Sequence, residues 1–143
     1  MLQRHFMNPS ETPIGVRSGI AVLLRHLDVT QVLFGSSAGG FVDAAYRPDR
    51  SVAPGLVLLC AWLVAAFLAW RMRHRALLWL HACLAIVLGL EALSMVRIFG
   101  KVWYYLTLWA WSVTVLMAIA TAATLAVMVR RWRGEGSRTS LLR

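Results

Sequence analysis

Three long apolar runs, divided by short arginine-bearing segments, decide what this chain can fold into. They cover about residues 54–70, 76–96 and 102–129. A helix needs about 20 predominantly apolar residues to cross the hydrocarbon core of a bilayer. The first run is at the short end of that range and the third exceeds it. Of the 143 residues, 59% are hydrophobic and 15% are charged, against about 25% charged in an ordinary soluble domain. The expected fold is all-α: an integral membrane protein with three transmembrane helices, preceded by an amphipathic extracytoplasmic helix.

That preceding helix is read over residues 14–34. Thr12-Pro13 offers an N-cap and a first helical position. Val16, Ile20, Leu23, Leu24, Leu27 and Val32 recur at helical spacing, while Arg17, Ser18, Arg25, Asp28 and Gln31 fall largely on another face. Arg17, Arg25, His26 and Asp28 interrupt the run too often for it to span. It lies either on the membrane or a partner, or on its own chain, and the sequence does not choose. Residues 1–50 form an N-terminal segment in this reading. Gly35–Gly40 is a flexible link, and Ala45-Tyr46-Arg47-Pro48-Asp49-Arg50 a polar turn before the first span. Residues 1–10 have neither an h-region nor a small-residue cleavage site.

Orientation follows from the cations. The 71–75 loop and the tail after residue 129 carry eight arginines, and the other side carries four cations near the membrane: Arg47, Arg50, Arg97 and Lys101. The positive-inside bias therefore places the C-terminus in the cytoplasm and the N-terminus outside the inner membrane. Residues 131–143 become a basic cytoplasmic tail, expected to lose order past Gly134. Trp70, Trp79 and Trp132 then mark one interface, and Trp103, Tyr104 and Tyr105 the other. The net charge of +9 is explained by this placement, so no nucleic-acid partner is expected.

Polar groups inside the runs are the candidate sites. Glu91 is the one acid within them, about one to two turns from the outer end of its helix. An ionised carboxylate there costs several kcal/mol unless paired or hydrated. Arg97 is nearly two turns away on the same helix, a poor pairing distance, so the expected partner is Tyr104, Tyr105 or Thr107 on the third helix. Glu91 then either lines a polar cavity or headgroup site, or makes a structural inter-helix bond. Arg97 and Lys101 flank Gly100. They could hold a phosphate or simply snorkel to headgroups. His81 has no neighbouring acid or second histidine in sequence, so a hydrogen bond to another helix is expected rather than a metal site. Cys60 and Cys83 read as small buried apolar residues at different depths. Trp109 and Trp111, two positions apart, face different sides. Ala118, Ala120, Thr121, Ala122, Ala123 and Thr124 form a small-residue section suited to close helix approach. No nucleophile–base pair, phosphate loop or paired carboxylates occur in the sequence, so catalysis by this chain alone is not expected, and no cofactor.

The Ala45–Arg50 turn, Arg97-Ile98-Phe99-Gly100, Tyr105-Leu106 and Trp109-Ala110-Trp111 together resemble the C-terminal end of large actinobacterial membrane proteins similar to C-type glycosyltransferases, which use polyprenyl-phosphate sugars. The resemblance covers residues 35–130. It implies a non-catalytic module, because the family's catalytic carboxylate lies in a first extracytoplasmic loop that this chain does not contain. It also implies a polyprenyl-phosphate or phospholipid headgroup near Glu91, Arg97, Lys101, Tyr104 and Tyr105. Two other readings stand beside it: a small accessory subunit docked on a larger membrane protein, and a minimal transporter acting as a homo-oligomer.

Overall fold

The computed structural model describes residues 15–34, 51–97 and 108–140. They form five helices: α1 (Val16–His26), α2 (Val29–Phe34), α3 (Ala53–Arg71), α4 (Arg75–Val96) and α5 (Leu108–Ser140). Three are long and apolar enough to cross a membrane, with mean hydropathy of 2.1 for α3, 2.1 for α4 and 2.2 for Trp109–Gly134 of α5. Only 22% of the first two apolar windows and 28% of the third is buried within the chain. The rest, including Val57, Phe67, Ile86, Leu90 and Ile119, presents an apolar surface that only lipid or another apolar partner can cover. This is the surface of a multi-pass membrane protein.

The helix bounds follow local chemistry. Pro54 occupies the first turn of α3, where its missing N–H is no loss, and Ser51 Oγ accepts from the Ala53 N–H at 3.1 Å. The turn from α3 to α4 is Met72-Arg73-His74. The His74 N–H donates to Ala69 O at 3.2 Å and the Arg73 N–H to Trp70 O at 3.0 Å, the two bonds of a Schellman ending. Arg73 takes the left-handed position, φ 53, which costs an L-residue roughly 1–2 kcal/mol. His74 then caps α4, its Nδ1 accepting from the Leu77 N–H at 3.3 Å. One short turn thus closes one helix, opens the next and sends it back antiparallel. From α5, Arg131 Nη1 donates to Met72 O at 3.1 Å and fastens the turn.

The inward stripes share one spacing. On α4 the inward stripe is Leu77, His81, Leu84, Leu88, Glu91 and Met95; on α5 it includes Ala110, Val113, Met117, Ala120 and Thr124. Steps of three and four keep one face of each helix toward the others. Trp62, Leu84, Val113, Met117 and Ala120 form the main core.

The N-terminal helices depart from expectation. The helix anticipated over residues 14–34 breaks at Leu27–Asp28 into α1 and α2. Asp28 causes the break by capping: its Oδ1 accepts from the Thr30 N–H at 3.0 Å and from the Thr30 hydroxyl. Of the two placements left open, the structure has the helix on its own chain. Gly19 lies against Val96, Leu24 against Gly55, and Leu27 is fully buried in the main core. The expected start at residues 12–14, the link 35–40 and the turn 45–50 lie outside the described residues.

Two more expectations change. The third helix does not end near Val129 but continues through Ser140, since Arg130, Arg131 and Arg133 are good helix formers and Gly134 and Gly136 cost only about 1 kcal/mol each. Its expected start at Val102 lies outside the described residues. Cys60 and Cys83 are free and exposed on the outer surface of the bundle, not buried. The Trp62 and His81 rings meet at 5.9 Å, and two residues back on α3 and two forward on α4 bring the cysteines to comparable heights, because the helices are antiparallel.

A side chain on Gly55 would run into the Leu24 backbone. Gly55→Ala is expected to lift α1 off the bundle at a cost of about 1–3 kcal/mol. Hydrogen exchange should show α1 amides losing protection while α4 and α5 keep theirs.

Candidate functional site

Polar side chains on the inward stripes gather in two layers. The first lies toward the arginine end. Thr124 donates its hydroxyl to Ala120 O at 2.8 Å, so its oxygen accepts from His81 Nε2–H at 3.0 Å. That bond fulfils the expectation of an inter-helix partner for His81. It leaves His81 Nδ1 as an unprotonated acceptor with no partner among the described residues, and buried Trp62 Nε1 likewise has none there.

The second layer follows from register. Since α4 and α5 run antiparallel with His81 against Thr124, Glu91, ten residues on, is level with Thr114, ten residues back. Met95 and Ala110, further along both helices, share a cluster with Val22 of α1, which confirms the register. Thr114 donates to His26 O at 2.8 Å and to Ala110 O at 3.1 Å. The last turn of α1 is therefore fastened at the height of Glu91. His26 Nδ1–H donates to Val22 O at 2.9 Å and its ring stands 5.2 Å from that of Trp111. Its Nε2 has no partner among the described residues.

Glu91 is completely buried, and neither carboxylate oxygen has a hydrogen bond among the described residues. The other buried polar residues among those described, His26, Asp28, His81, Thr114 and Thr124, each make at least one. Between the two layers lie the apolar side chains of Leu84, Leu88 and Met117, with half-buried Thr121 turning its hydroxyl back to Met117 O at 2.8 Å.

Of the five residues singled out in the sequence, the structure places two. Glu91 is buried in the bundle interior, whereas Arg97 is exposed just past the end of α4. Lys101, Tyr104 and Tyr105 lie outside the described residues, as does Thr107. Trp111 is buried and Trp109 exposed, on different sides as expected. Trp70, Trp79 and Trp132 are all exposed, as interfacial tryptophans are. In the small-residue section, Ala120 and Thr124 are spent on the chain's own core. His26, Trp62, Thr114 and Thr124 were not read as site residues. The three-and-four spacing through His81 and Glu91 carries a signal for the α4 stripe, but nothing local to α1 announces that His26 reaches Thr114. Compared with protein-family models, curated proteins and solved structures, the chain matches none.

Burial holds the His26 pKa below its usual value, partly opposed by its bond to Val22. The unfolded chain therefore binds the proton more readily than the folded one, and stability conferred by neutral His26 is present above about pH 6.5 and lost as pH falls below it. Acidification from pH 7.5 to 5.5 should loosen α1, read by amide exchange, and His26→Phe should flatten that dependence. Thr124→Val should cost about 0.5–1.5 kcal/mol in a detergent unfolding assay.

Proposed function

We propose that this chain is a non-catalytic integral-membrane module that works by binding, with Glu91 as the group that recognises a lipid-linked or membrane-protein partner at the outer end of the bundle. The reading agrees with the role implied by resemblance to the terminal part of a lipid-linked-sugar glycosyltransferase, and equally with an accessory subunit. We place the arginine end, with Arg71, Arg73, Arg75, Arg130, Arg131 and Arg133, in the cytoplasm of the inner membrane.

The observation that carries it is the orphaned carboxyl. A buried polar group without a hydrogen bond costs about 1–3 kcal/mol, and a charged one more. A leucine at position 91 would serve the isolated fold better. The acid is explained if its hydrogen bonds are completed from outside the chain, by a donor or cation on a partner. Around it, α1 is held by short local contacts rather than a spanning segment, so it is the element a partner would displace or pack upon. A transporter reading fares worse, because the packed apolar side chains of Leu84, Leu88 and Met117 separate the Glu91 layer from the His81 layer.

The test compares Glu91→Leu and Glu91→Gln with the wild type, both purified alone and recovered from native membranes in mild detergent. Glu91→Leu should stabilise the isolated chain by about 1–3 kcal/mol and abolish recovery of the bound lipid or protein. A destabilised Glu91→Leu variant that still recovers the same partner would show the acid to be a structural element.

A further inference from the structure

At the opposite end of the bundle from Glu91, the α3–α4 turn borders a cavity of about 660 Å³ lined by Phe67, Trp70, Arg71, Arg73, Arg75 and Leu78. Its chemistry is divided. Three guanidinium groups supply fixed positive charge, and no acid lines it among the described residues. Phe67 and Trp70, ring centroids 5.7 Å apart, are exposed on the outer surface of α3 and form an apolar wall with Leu78.

We propose that this cavity binds the phosphodiester headgroup of an anionic phospholipid. Guanidinium forks match phosphate oxygens in pairs. The aromatic wall lies on the side an acyl chain would occupy, and a soluble anion would leave that wall unused. The arginines also differ from a floppy basic tail. Arg73 sits in a left-handed position where glycine is the usual residue, and the turn carrying it is held by its two closing backbone bonds and by Arg131 on Met72 O. The charges are thus presented by a fixed frame, so little order has to be gained on binding.

The frame also supplies the test. Arg73→Gly removes one charge while giving the turn its preferred residue, so the variant should fold at least as well as the wild type. The full chain in neutral detergent is titrated with dioleoylphosphatidylglycerol, dioleoylphosphatidylcholine or inorganic phosphate, and bound lipid is counted by native mass spectrometry. The expected result is retention of phosphatidylglycerol over phosphatidylcholine, weakened about fivefold by Arg73→Gly and further by Arg71→Gln with Arg75→Gln. Arg133→Gln removes a charge outside the cavity and should change the affinity less than twofold. Equal weakening by Arg133→Gln would overturn the proposal in favour of general charge attraction. Equal retention of phosphatidylcholine, or displacement of phosphatidylglycerol by inorganic phosphate, would also overturn it.

Discussion

A polar side chain inside a lipid-embedded bundle has no water to turn to, so it must find its partner on a neighbouring helix. His81 finds Thr124, and that single pairing sets the register between α4 and α5. Met95 then meets Ala110, and Glu91 comes level with Thr114. The threonine at that height serves α1 instead, through His26 O. The arrangement of four helices around Glu91 is a consequence of where one histidine is satisfied.

Close approach at glycine completes the arrangement. Gly55 lets the Leu24 backbone settle on α3, and Gly19 lets α1 rest against Val96. Without a Cβ at these two points, helix backbones come together and dispersion contacts accumulate. A short amphipathic helix, too polar to span, becomes part of the core by this route, and Leu27 ends up as buried as any residue of the spanning helices.

The two ends of the bundle carry different chemistry. One end concentrates arginines on a rigid turn and on the last turns of α5. The other buries a carboxyl with no hydrogen-bond partner among the described residues. The first is suited to the phosphate-rich surface of a membrane. The second is costly in an isolated fold, where a buried polar group needs a hydrogen-bond partner.

Hydropathy made the three spans legible, and Pro54 and the arginine-rich 71–75 segment marked their boundaries, because lipid tolerates one backbone solution over such lengths. Glu91 stood out for the same reason: an acid among leucines is costly wherever it points. What the residues could not show was where it points and what it meets. Tyr104 and Tyr105, the partners expected by proximity along the chain, lie outside the described residues; among those described, Thr114 stands at its height, since register is set at His81, ten residues away. The break at Asp28, the docking of α1 and the outward-facing cysteines were equally hidden. Each depends on contacts between residues far apart in sequence, and only the packed bundle brings those together.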